Sequence, residues 1–233
     1  MKKITNILIL IAILISSSFF LSACTKKTTT TITPTKTETT KQIELSAEEK
    51  PYISLIPRAD GHELKFKVTG IPSKFSIAEY ELIYNAEDEN MEIEKGVSGT
   101  VKLTGSSFEK DLLLGTSSCT NGCKYKYDEG ITGGVLSLIL TTDSKQYVTF
   151  ETPFNLKNST EINKTKSINL NQENFEVKAT IASKNDFFVV IKNFKPVYSI
   201  FSSGNGNGKI TSIEPSTITK ENLNSLVGDY LIP

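Results

Sequence analysis

Leu64-Lys65-Phe66-Lys67-Val68 is the stretch on which the fold turns. Three apolar residues alternate with two lysines, the period of an extended strand with one face in a core and the other in water. The turn signal Ala59-Asp60-Gly61 stands before it, and Gly70 and Pro72 close it. Tyr52 to Ile56, on the other side of the turn, supplies the partner for a hairpin.

The same texture continues outward. Strands are expected at Ile77 to Asn85, Thr100 to Leu103, Phe108 to Leu114, Tyr125 to Tyr127, Val135 to Thr141 and Tyr147 to Phe154. Turn signals recur every eight to fifteen residues, and long helical patterns between strands are missing, which disfavours a parallel α/β sheet. Residues 155–170 are polar, and 158–170 are expected to be a connection. The strand texture then restarts with Phe175 to Ile181, Phe187 to Lys192, Val197 to Phe201 and Lys209 to Ile213. Thr219 to Val227 reads as a short helix, with Thr219 as N-cap and Gly228 past its end. The apolar end Tyr230-Leu231-Ile232-Pro233 is expected to dock.

Seven or more short strands in about 110 residues resemble an immunoglobulin- or fibronectin-type-III-like sandwich over roughly residues 50–156. The chain differs from those families in having no tryptophan and in the close spacing of its two downstream cysteines. The expected architecture is all-β: an antiparallel β-sandwich at 45–157, then a smaller β-rich C-terminal domain at 171–233 with one short helix.

The N-terminus has another character. Lys2 and Lys3 precede an apolar run from Ile4 to Leu21, followed by Leu21-Ser22-Ala23-Cys24. Basic start, apolar core and small residues before the cut are the parts of a signal peptide, here 1–23. With a cysteine just after the cut, the segment resembles the lipobox of bacterial lipoproteins, which implies that the Cys24 thiol carries the lipid. Residues 24–44 then form a tether. Ten of the sixteen residues from Thr25 to Thr40 are threonine, too uniform to build a core, so the segment is expected to be disordered.

Charge narrows the partner classes. Lys2 and Lys3 leave with the signal, so 24 basic residues face 26 acidic ones in the remaining 210 residues, a net −2. A nucleic-acid binder concentrates positive charge, so no nucleic-acid partner is expected. The expected attachment is to the membrane through lipid on Cys24, at the extracytoplasmic face, with an envelope protein or polysaccharide as partner.

Within the body, Cys119-Thr120-Asn121-Gly122-Cys123 places Asn-Gly between two cysteines, a strong hairpin signal. Opposed cross-strand residues approach closely enough for a disulfide, and an exported protein meets an oxidising compartment, so Cys119 and Cys123 are expected to pair. Redox motifs of the thioredoxin type use two intervening residues, not three. Tyr125 and Tyr127 alternate with Lys124 and Lys126 beside this hairpin. They are either half-buried core residues or an exposed pair that contacts a partner, and they are the candidate binding residues.

Other motifs carry less. His62, the single histidine, lies in a turn and reads as a solvated residue; zinc catalysis built on two or three histidines is excluded. Gly204-Asn205-Gly206-Asn207-Gly208-Lys209 fails as a phosphate loop, because Ser203 stands where glycine is needed and Ile210 where Ser or Thr is needed. Asp88, Asn90 and Glu92 imitate a calcium loop, but Ile93 occupies the sharp-turn glycine position. No metal or cofactor is therefore expected. The expected function is non-enzymatic binding or adhesion, with carboxylate-based glycan hydrolysis or soluble-ligand binding as alternatives.

Overall fold

The computed structural model describes residues 40–89 and 91–233. The expected signal peptide 1–23, Cys24 and the expected tether up to residue 39 lie outside the described residues. The described residues form one compact unit. In chain order its strands are β1 (Lys41–Gln42), β2 (Tyr52–Pro57), β3 (Glu63–Thr69), β4 (Phe75–Asp88), β5 (Met91–Lys102), β6 (Ser107–Leu113), β7 (Gly115–Cys119), β8 (Cys123–Tyr127), β9 (Gly133–Thr142) and β10 (Gln146–Asn158). Helix α1 (Ser159–Thr165) follows, then β11 (Ser167–Leu170), β12 (Phe175–Ile181), β13 (Phe187–Lys192), β14 (Val197–Ser202), β15 (Gly208–Glu214) and β16 (Gly228–Leu231).

The fold is all-β and sandwich-like, with antiparallel sheets. One long sheet runs in the order β16-β14-β13-β10-β9-β4-β5, and β1 adds a short parallel pair beside the start of β10. Sheets β2-β3-β6 and β11-β12-β15 have three strands each, and β7-β8 is a two-stranded ribbon.

Alternation explains the layers. In β3, Leu64, Phe66 and Val68 are buried while Lys65 and Lys67 are exposed. They join Ile53 and Leu55 of β2, Leu82 of β4, Leu138 of β9 and Phe154 of β10 in a first core. A second core gathers Val177 and Ala179 of β12, Ile168 of β11, Ile200 of β14 and Tyr230 of β16. Strand β13 serves both. Val189 and Ile191 belong to the first core, Phe188 and Val190 to the second, and all four are 0 % exposed. A strand covered on both faces reads as an unbroken apolar run, which is what Phe187 to Ile191 is. Thus β2-β3-β6 covers one face of the long sheet, and β11-β12-β15 covers the opposite face near its β16 end.

Several expectations shift. Residues 45–157 and 171–233 share one sheet, because β10 runs thirteen residues and pairs with β9 along its length and with β13 at its end. The expected connection 158–170 holds α1 and β11. Asn158 accepts from the Glu161 amide at 2.9 Å while Glu161 accepts from the Asn158 amide at 2.9 Å, a capping box that starts the helix. Ile162, Ile168 and Leu170 fix the segment by burial. The single short α-helix among the described residues is therefore α1; residues 219–227 form turns, with Thr219 bridged to Leu231. The folded body begins before residue 44, the expected end of the tether, because the Ile43 amide donates to the Tyr147 carbonyl at 2.8 Å and Leu45 is buried. Strand β5 begins at Met91, nine residues before the strand expected at Thr100, since its pairing with β4 extends along its whole length. No helix among the described residues is long and apolar enough to cross a membrane.

Candidate functional site

The β7-β8 ribbon projects from the sandwich and contributes no residue to either core. Cys119 and Cys123 are directly opposed across it, 4.2 Å apart at Cα, and form a disulfide. The staple closes Thr120-Asn121-Gly122, where Gly122 takes a φ of 99°, a conformation that favours glycine. At the other end of the ribbon the Asp128 amide donates to the Leu114 carbonyl at 3.0 Å, anchoring it to the first core.

Tyr125 and Tyr127 are both exposed, at 54 % and 37 %. Two residues apart on one strand, they lie on the same side. Their rings are near-parallel, with centroids 6.1 Å apart. Tyr127 is also stacked with His62, at 4.2 Å with an interplanar angle of 6°. His62 is thus half-buried in a three-ring stack rather than freely solvated in its turn.

The β2-β3 turn is held against this stack by charge. Arg58 bonds Asp60 through Nε at 2.8 Å and Nη2 at 2.9 Å, and Glu63 through Nη1 at 3.1 Å. Its guanidinium lies 5.8 Å from the Tyr127 ring centroid, within cation–π range. The Arg58 bonds hold the Asp60 carboxyl at about 2, below the usual carboxylate range, with help from the His62 amide. Gly61 sits in the left-handed region at φ 75°, and a Cβ there would come within 2.6 Å of the Phe187 ring. Only glycine lets the turn lie this close over Phe187.

Beside the stack opens a cleft of about 390 Å³, bordered by Asp60, His62, Glu87, Asp128, Glu129, Ile131, Asn158, Glu161 and Phe187. Three of its carboxylates already have partners. Asp60 holds Arg58, Asp128 takes Lys95 at 2.9 Å and the Tyr84 hydroxyl at 2.8 Å, and Glu161 caps α1. Burial, and then the Asp128 carboxylate, push the Tyr84 hydroxyl well above the usual tyrosine range, so it remains a donor. Glu87 and Glu129 are joined through the backbone, the Glu87 amide donating to the Glu129 carbonyl at 2.8 Å. Neither side chain forms an ion pair among the described residues. Gly130 follows them at φ 68°, where a Cβ would strike Glu87.

The structure therefore brings Tyr125 and Tyr127 together with the stapled hairpin, as the sequence suggested, and adds Arg58, His62, Glu87 and Glu129. The pairing of His62 with Tyr127 had no local signal, since the two are 65 positions apart. Cys24 lies outside the described residues. No group of three or more histidine, cysteine, aspartate or glutamate residues suited to a metal occurs among the described residues. Comparison of the chain with protein-family models, with curated proteins and with solved structures returns no match.

Proposed function

We propose that this is a lipid-anchored extracytoplasmic protein whose folded body is a non-enzymatic binding module. Cys24 carries the lipid, and residues 25–40 space the body from the membrane. The observation that supports the reading best is the exposed Tyr125–Tyr127–His62 stack next to a cleft with two uncommitted carboxylates. Tyrosine offers an apolar ring face with a polar tip and loses little conformational freedom on binding, which suits it to contact surfaces. The disulfide and the Arg58 bonds hold the stack in place before a partner arrives, which lowers the ordering cost of binding. Ring faces near a cleft with acceptor carboxylates suit a polysaccharide of the envelope: one sugar unit lies on Tyr125, and the hydroxyls of another unit of the same glycan donate to Glu87 or Glu129 in the cleft.

The cleft carboxylates also favour a second reading, glycan hydrolysis by paired acids, with Glu87 and Glu129 as the uncommitted pair. One set of measurements separates the two. Residues 40–233 contain both cores whole and are expected to fold alone. This protein should bind purified envelope polysaccharide without releasing reducing ends, and Tyr125→Ala should weaken binding by about tenfold, the loss of one good aromatic contact. Reducing-end release that Glu87→Gln or Glu129→Gln abolishes would establish the hydrolase instead. In cells, Cys24→Ala should abolish incorporation of labelled fatty acid.

A further inference from the structure

The long sheet ends in β5, twelve residues that pair with β4 on one side and with no strand on the other among the described residues. An open edge presents unpaired N–H and C=O groups and is a template for another strand. The opposite end of the sheet is β16, only four residues long. The outward and inward residues of β5 follow from its register with β4. Glu92, Glu94, Ser98, Thr100 and Lys102 share the outer face with Glu79 and Glu81, while Ile93, Val97 and Val101 pack against the first core.

We propose that β5 is the interface of a symmetric dimer, pairing antiparallel with β5 of a second copy about a two-fold axis at Val97. The sequence of β5 is self-complementary in that register. Glu92 opposes Lys102 of the second copy, and Lys102 opposes its Glu92, which makes two opposite-charge pairs at the two ends. Ile93 opposes Val101, Val97 opposes Val97, and the apolar row of the inner face continues across the junction. Lys95, whose ammonium is already tied to Asp128 at 2.9 Å, opposes Gly99 and meets no side chain. Opposed residues must share a face, so the neighbouring registers differ by shifts that keep this parity. The shift that opposes Glu92 to Thr100 loses both charge pairs and sets Lys95 against Val97. The shift that opposes Glu94 to Lys102 keeps the charges but sets Lys95 against Val101. Among these three, the register centred on Val97 alone satisfies both faces, and this charge complementarity is what identifies a second copy as the occupant.

The test is sedimentation equilibrium of residues 40–233. The unaltered protein should be a dimer in reversible equilibrium with monomer. Glu92→Lys or Lys102→Glu alone turns both pairs into like-charge contacts and should weaken dimerisation by about tenfold, since each cross-strand pair is worth a fraction of a kcal/mol to about 1 kcal/mol. The double exchange of Glu92→Lys with Lys102→Glu should restore it. Both side chains lie at the sheet surface, and circular dichroism checks that each variant stays folded. Under oxidation the Val97→Cys protein should form a cross-linked dimer, whereas Ser98→Cys, facing Gly96, should not. A monomer at all concentrations would overturn the proposal, as would a double exchange that fails to restore a dimer lost in the single variants. Cross-linking of Ser98→Cys in place of Val97→Cys would overturn the register.

Discussion

The side chain of Asn193 pairs with both backbone groups of Ile53, 140 positions away: the Ile53 amide donates to Asn193 Oδ1 at 3.1 Å, and Asn193 Nδ2 donates to the Ile53 carbonyl at 2.8 Å. Both residues are buried. The carboxamide thus takes the place of a neighbouring strand for β2 and bolts the small sheet to the turn after β13. Around it Ser199 Oγ donates to Asp229 at 2.6 Å and the Tyr52 hydroxyl donates to the same oxygen at 2.7 Å. Burial raises the Tyr52 hydroxyl above its ordinary range, so it stays a donor to Asp229.

Asn193→Leu should therefore be strongly destabilising although it keeps the branching and the number of side-chain heavy atoms. It leaves two buried backbone groups of Ile53 without partners, at about 1–3 kcal/mol each. Urea unfolding should show a lower midpoint with an unchanged slope. A midpoint equal to that of the unaltered protein would show that water or a shifted chain replaces the carboxamide.

The disulfide should be local in its effect. Replacing Cys119 and Cys123 by serine frees a very short loop, for which chain entropy gives at most about 2 kcal/mol. Because residues 115–127 contribute nothing to either core, the loss should appear as faster amide exchange in β7 and β8, with core amides unchanged. Free thiols at these positions in protein purified without reductant would contradict the pairing.

Asp60 should titrate low. Its carboxyl is depressed to about 2 in the folded protein by Arg58, so its contribution to stability is present above the unfolded value of about 3.9 and lost as pH falls from there through about 2. The group is largely exposed, so solvent screening keeps that contribution small. Carboxyl-detected NMR should place the Asp60 midpoint near 2, and Arg58→Gln should bring it back toward about 3.9. The same variant should loosen the turn under His62 and broaden the Tyr127 ring signals. An Asp60 midpoint indifferent to Arg58→Gln would mean that another group holds the carboxylate.

Much of the architecture was legible in the chain itself. Leu64 to Val68 gave one strand and its buried face through a period of two, and Phe187 to Ile191 gave another as a short apolar run bounded by turn residues, because both signals need only near neighbours in the chain to be seen. The hairpin at Cys119 and Cys123 was legible for the same reason, as turn chemistry is local. Asn158 and Glu161 carried a capping box that marks α1, yet the polar run around them read as a connection. The signal at 219–227 was misleading: its apolar residues have helical spacing, but Leu226 is buried through a turn whose amide donates to the Gly206 carbonyl at 2.9 Å.

What the sequence determined alone was which residues face a core and where the chain must turn. Which core each face meets was decided by the tertiary structure. Val189 and Val190 look alike in sequence; the pleat of β13 puts them on opposite faces, but only the packing of different small sheets on the two faces of the long sheet decides which core each one meets. The site shows the same division. Tyr125 and Tyr127 fit a buried strand or an exposed one equally well by alternation, because the period reports which residues share a face and not whether a second layer covers it. Among the described residues no layer covers the β7-β8 ribbon, and both rings stay exposed beside His62, whose turn Arg58 and Asp60 hold from another hairpin.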